Sequence, residues 1–156
     1  KSEFVAPAQR CEALNDARAS AREHYFEHVM GELRPLIGML FDDTSVVFDD
    51  ETLLPRSIQR NGLDEPVLVL SGGMREQLAV LTRLAFARLL AREGRPAPVI
   101  LDDALVYSDD ERIEKMFNAL HRQSREQQII VFSCRQRAFA QLGGNRLQMI
   151  PWSPLL

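Results

Sequence analysis

Cysteine is nearly missing from this sequence: there are two in 156 residues, Cys11 and Cys134, far apart and in different predicted elements. That excludes a disulfide framework as the source of stability, and the pair reads as reduced thiols in a cytoplasmic protein. Long apolar runs are missing as well. No stretch approaches the roughly 18 residues a membrane span needs, and the opening KSEFVAPAQR has no apolar core of the kind a signal peptide carries. Neither sign of charge dominates. With a formal net charge of -3 there is no overall basic pull toward nucleic acid, although a local basic stripe is not excluded. Arg122, Arg125, Arg135 and Arg137 are scattered without interleaved aromatics, and read as a solvated surface as readily as a phosphate track. His24 and His28 are four apart in a predicted helix, but no third ligand is in view for a metal.

What is present suits a core. A hydrophobic content of 46% in this length fits one globular domain, or one lobe of a larger one. Cys11, Leu14, Ala17, Ala21, Tyr25, Val29 and Leu33 recur at helical spacing and predict a first helix. Pro35 breaks or restarts it, and Leu36 to Phe41 follows as a short continuation. Ser45 to Phe48 and Arg56 to Gln59 are strand candidates of a small antiparallel sheet, with Asn61-Gly62 as a turn.

After Leu70 the pattern alternates helix and strand. Helices are expected over Gly72 to Ala91, from about Asp109 with Ser108 as N-cap, and over Gln136 to Leu142. Val99 to Leu101, Ile129 to Phe132 and Arg146 to Ile150 are the expected strands, the first of a kind buried on both sheet faces. The order implies a mostly parallel sheet with helical cover and right-handed crossovers, whose ligands sit at the carboxyl ends of strands.

The chemistry gathers at two places. LSGGMREQ, Leu70 to Gln77, puts two adjacent glycines at a helix start, where unbonded N–H groups and the helix dipole attract phosphate. Asp102 and Asp103 follow the strand Val99 to Leu101 directly, so two carboxylates meet where a strand leaves the core. Alone, that pair reads equally as a solvated loop.

In combination, LSGGMREQ, a helix of about 20 residues, PVILDD, an acidic Ser-Asp-Asp turn and IIVFSC resemble the carboxyl-terminal half of an ABC-type ATPase head over residues 66 to 150. The entry through a helix and a small sheet, with REQLAVLTRLAFARLL and an Asp-Asp pair, is more similar to the SMC-like heads of chromosome-segregation and DNA-repair ATPases, including the RecF and YhaN types, than to transporter ATPases. The resemblance implies an α/β P-loop NTPase lobe over residues 42 to 156, entered from residues 1 to 41 as the end of a coiled coil; a plain amphipathic helix is the alternative for that segment.

It also implies roles. Ser71, Gly72 and Gly73 would meet the γ-phosphate of ATP held by the opposite subunit, with polar contacts from Arg75 and Gln77. Asp102 would be the Mg2+-site carboxylate, Asp103 the group that orients or deprotonates the attacking water, and Asp109 an interface aspartate or simply a helix cap. Where the family has a histidine after the strand that ends here in Phe132-Ser133, this sequence has Cys134 and Arg135; either could occupy the site, and Arg135 is the one able to supply a charge-assisted phosphate contact. No GxxxxGK[ST] loop occurs, so the chain alone is expected not to hydrolyse ATP. The expected partners are an amino-terminal half of the same protein carrying that loop, a second copy through ATP, and DNA. A non-hydrolysing nucleotide-clamped module and a transporter ATPase subunit are the alternatives.

Overall fold

The computed structural model describes residues 7 to 149 apart from 42, 50, 51 and 53. The order is α1 (Pro7–Leu40), β1 (Thr44–Phe48), β2 (Pro55–Arg60), β3 (Leu63–Pro66), a single turn of 3-10 helix (Val67–Val69), α2 (Gly72–Arg92), β4 (Val99–Asp102), α3 (Asp110–Gln123), β5 (Ile129–Phe132) and α4 (Gln136–Phe139). Strands β1, β2 and β3 form an antiparallel meander, while β4 and β5 pair in parallel across the α3 crossover. The architecture is therefore α/β with two small sheets of opposite character.

Pro35 lies inside α1 and does not interrupt it. A proline ring crowds the carbonyl four residues earlier and removes one helical hydrogen bond. The expected break does not occur, and the residues on either side of Pro35 are held in the core. The second half of α1 belongs to the core: Val29, Met30, Leu33, Leu36 and Ile37 are buried with Val46, Phe48, Ile58, Leu81 and Leu84. Phe26 meets Phe48 edge-on, with ring centroids 5.8 Å apart. By contrast, residues 12 to 17 near the start of α1, Leu14 among them, are exposed.

Ionic contacts fasten α1 to α2 across the same seam. Glu32, itself buried, pairs with Arg88 at 3.0 Å and with Arg92, and Arg88 also pairs with Glu126 at 3.0 Å. Tyr25 donates its hydroxyl proton to Glu93, 2.9 Å away.

Strand β3 completes a hairpin with β2 that the sequence reading leaves out. Asn61 and Gly62 both have positive φ, 51° and 75°, the two-residue turn that twists correctly for a hairpin. The polar LDEP that follows hides the strand, although Arg60 and Glu65 pair across it at 3.0 Å.

Two expectations about the parallel sheet need correction. Residues 146 to 149 form no strand; Leu147 and Met149 are exposed, and a strand gains nothing without a neighbouring edge and a surface to cover it. Ile150 lies outside the described residues. Nor is β4 buried on both faces: Val99 and Leu101 are packed inside, but Ile100 is 57% exposed, and at the end of β5 Phe132 is 42% exposed. One sheet face packs on the chain's own helices and the other has no cover among the described residues. No helix among the described residues is long and apolar enough to cross a membrane.

Candidate nucleotide-binding edge

The carboxyl ends of β4 and β5 and the amino end of α2 meet at one edge of the fold, joined by the loop of residues 103 to 109. At α2, Ser71 is the N-cap: its Oγ accepts from the Met74 N–H at 3.3 Å, and its carbonyl accepts from the Arg75 N–H at 3.1 Å. The first-turn N–H groups of Gly72 and Gly73 have no intrahelical acceptor. Packing requires a glycine at position 73 but not at position 72. A Cβ on Gly73 would lie 2.7 Å from the backbone oxygen of Tyr107, and one on Gly72 would touch the Tyr107 ring at 3.4 Å.

Beyond the glycines the side chains of the signature diverge. Arg75 is exposed and lines an apolar groove of about 680 Å³ between α2 and β4, with Leu78, Phe86, Val99 and Ile100. Gln77 turns inward, 1% exposed, and donates from Nε2 to Ser108 Oγ at 3.1 Å, while its Oε1 has no partner. It therefore does not share the outward face of Ser71. Glu76, which the sequence reading passes over, accepts at 3.0 Å from the Tyr107 N–H.

The two carboxylates separate as the strand ends. Asp102, paired in register with Phe132, is the last residue of β4 and exposed. Asp103 takes a left-handed conformation, φ 44°, which Asp tolerates better than most residues. Its N–H donates to the Phe132 carbonyl at 3.0 Å, and its Oδ1 accepts from the Cys134 N–H at 2.9 Å. That backbone hydrogen bond, reinforced by the Cys134 thiol, holds the Asp103 carboxyl below its ordinary range, and the thiol's own hydrogen bond to Asp103, with the carboxylate charge, raises the thiol.

Among the described residues no group of three or more His, Cys, Asp and Glu side chains is placed to enclose a metal ion. The His24 side chain lies outside the described residues, so the His24 and His28 pairing is not placed. Asp102 offers an open carboxylate edge, which fits Mg2+ as phosphate enzymes hold it, by one or two carboxylates with phosphate oxygens and water completing the shell.

Asp109, not Ser108, caps α3: its side chain accepts from the Arg112 N–H at 2.9 Å. Ser108 is buried in its bond to Gln77. Arg135 is engaged with the loop of residues 103 to 109. Its Nη1 donates to the carbonyls of Leu105 and Val106, at 3.2 and 2.9 Å. Tyr107, 75% exposed beside Gly72, is a further member of this edge. A tyrosine in a loop carries no sequence signal, and only the fold brings it to the signature. Cys134 is a free, exposed thiol, whereas the Cys11 side chain lies outside the described residues.

No family model matches this sequence. It is 35% identical over 140 residues to the uncharacterized protein Rv1278 of Mycobacterium tuberculosis (strain ATCC 25618 / H37Rv), and equally to the uncharacterized protein Mb1309 of Mycobacterium bovis. The match takes in 85% of this chain but only 15% of either relative, so the chain spans a small part of their length. Among solved structures, one described under ATP-driven dimerization and DNA stimulated activation of SMC ATPases superposes with a TM-score of 0.60 at 16% identity, covering 78% of this chain and 76% of that one. The SMC head domain from Thermotoga maritima superposes with a TM-score of 0.55 at 19% identity, covering 78% of this chain and 44% of that one. The fold is that of part of an SMC ATPase head.

Proposed function

We propose that this chain is the carboxyl-terminal half of a RecF/YhaN-type SMC-like ATPase head, one that binds and hydrolyses ATP at a composite interface between two heads. The observation that carries the reading is the convergence of the helix start at residues 71 to 73, the Asp102 and Asp103 carboxylates and the switch loop, residues 133 to 135 after β5, at one edge of an SMC-type fold. Asp102 would hold Mg2+, and the bound ion would neutralise charge on the phosphates. Asp103 orients or deprotonates water, and Ser71, Gly72 and Gly73 offer N–H and hydroxyl donors to a phosphate presented by the partner head.

The chain's partner in cis is an amino-terminal half bearing the phosphate loop. Parallel sheets are covered on both faces, and the exposed Ile100 and Phe132 leave one face of this sheet open. The much greater length of the mycobacterial relatives supports the same view. Nothing in the fold favours the transporter alternative, since α1 and the β1 to β3 meander precede the signature where transporters have a helical subdomain. The exposed residues 12 to 17 of α1 fit the returning end of a coiled coil, and the DNA role follows from the SMC-like reading.

One observation favours the second reading, a nucleotide clamp with little hydrolysis: Cys134 and Arg135 stand where the family has its histidine, and the Arg135 guanidinium is engaged with loop carbonyls. Steady-state ATP turnover and ATP-dependent association of the full-length protein, with and without DNA, separate the two. Association with turnover supports the ATPase, association without turnover supports the clamp, and neither overturns both.

A further inference from the structure

The loop of residues 103 to 109 is gripped from two sides. On the switch side, Asp103 bonds to the Phe132 carbonyl and the Cys134 N–H, and Arg135 Nη1 donates to the carbonyls of Leu105 and Val106 at 3.2 and 2.9 Å. On the signature side, the Tyr107 N–H donates to Glu76 at 3.0 Å, Gln77 donates to Ser108 at 3.1 Å, and Gly73 lies directly under the Tyr107 carbonyl. Between the grips the backbone is strained. Asp103 and Leu105 both take left-handed φ, 44° and 68°, and for a buried leucine that conformation persists only where its surroundings hold it.

We infer that Arg135 is a positioning residue: by holding the Leu105 and Val106 carbonyls it fixes the strained loop, and through that loop it couples Asp103 to the signature end of α2. The inference rests on the proposed composite site and specifies its regulation. Asp103 serves the nucleotide bound by its own head, whereas Ser71 to Gly73 serve the nucleotide of the partner head. A single guanidinium therefore ties the state of one site to the competence of the other. A charged donor is suited to this, because each hydrogen bond it makes to a carbonyl is stronger than a neutral one and its planar fork is pre-organised.

The test uses the full-length protein as wild type, Arg135→Ala, Arg135→Lys and Glu76→Gln, singly and with Arg135→Ala combined with Glu76→Gln. Without nucleotide, Arg135→Ala is expected to speed amide hydrogen exchange about tenfold in residues 103 to 109 and also in 71 to 78, leaving 55 to 66 unchanged as the control for intact folding. In turnover, kcat falls about tenfold while KM stays within about twofold, the loss is not additive with that of Glu76→Gln, and lysine restores most of it. Faster exchange confined to residues 133 to 138, or a rise in KM that adds independently to the Glu76→Gln effect, overturns the inference and returns Arg135 to a phosphate contact. If the wild-type protein neither binds nor turns over ATP, the proposed function fails, and the exchange experiment still decides whether Arg135 holds the loop.

Discussion

The carboxylate of Asp103 accepts a hydrogen bond from the backbone N–H of Cys134, 2.9 Å away, and so the residue proposed to act on water is also a structural tie between the ends of β4 and β5. Any substitution of Asp103 therefore mixes chemistry with architecture. Asparagine separates them, since its Oδ1 still accepts that bond and it shares with Asp a tolerance of left-handed φ. Asp103→Asn is expected to leave the melting temperature close to wild type while lowering ATP turnover of the full-length protein by about 10² to 10⁴. Unchanged turnover in a folded variant would remove Asp103 from the chemistry.

The two signature glycines differ in what surrounds them. At Gly73 a methyl would meet a backbone oxygen at 2.7 Å, which cannot swing aside, so Gly73→Ala should cost about 1 to 3 kcal/mol by overpacking. At Gly72 the neighbour is the Tyr107 ring at 3.4 Å, a side chain free to move outward, and Gly72→Ala should be close to neutral. Urea unfolding of the two variants measures the difference. Equal stability would mean that the loop yields to the added methyl.

Cys134 provides a pH-dependent reading of the same contact. Hydrogen bonding to Asp103, with the nearby negative charge, raises the thiol above its ordinary value of 9.0, while Asp103 lies below its ordinary 3.8. A raised folded value means that the thiol's stabilising bond is complete below 9.0 and is lost as pH climbs through the folded value; the lowered carboxyl loses its share only as pH falls through its own folded value. Between those limits Cys134 should be alkylated more slowly than a free thiol of equal exposure. In a Cys11→Ser background, Asp103→Asn should speed iodoacetamide labelling at pH 8 by about threefold to tenfold. Labelling at the same rate in both proteins would show that the carboxylate does not act on the thiol.

The positions of Asp102 and Asp103 at a strand end, and of Ser71 to Gly73 at a helix start, were legible in the sequence because local rules fix them: a short apolar run ends in charge, and a cap followed by glycines starts a helix. The continuity of α1 through Pro35 was not legible, because a proline inside a helical pattern reads locally as a break and only the packing of the second half of α1 in the core overrides it. Strand β3 was concealed by LDEP, although the Asn61-Gly62 turn announces a partner strand. Gln77 and Arg135 mark the limit of such reading. Both are polar residues beside a motif, and only the path of the 103 to 109 loop decides that one is buried under Ser108 and the other spent on Leu105 and Val106. A loop conformation held by contacts from three elements has no local signature.

Ser71 allows the phosphate-binding role to be tested without disturbing the helix that displays it. Its Oγ caps α2, and replacement by arginine would remove the cap, costing about 1 kcal/mol, along with any phosphate contact. Aspartate is as good a cap as serine and its charge favours the amino end of a helix. Ser71→Asp should therefore leave the isolated protein as stable as wild type or slightly more so. Facing a γ-phosphate the same carboxylate is repelled, and ATP-dependent association should weaken by about tenfold or more at low salt, less at high salt. Light scattering with and without ATP, paired with thermal unfolding, reads both effects. Association that persists undiminished in a fully folded Ser71→Asp protein would place the partner's nucleotide somewhere other than the start of α2.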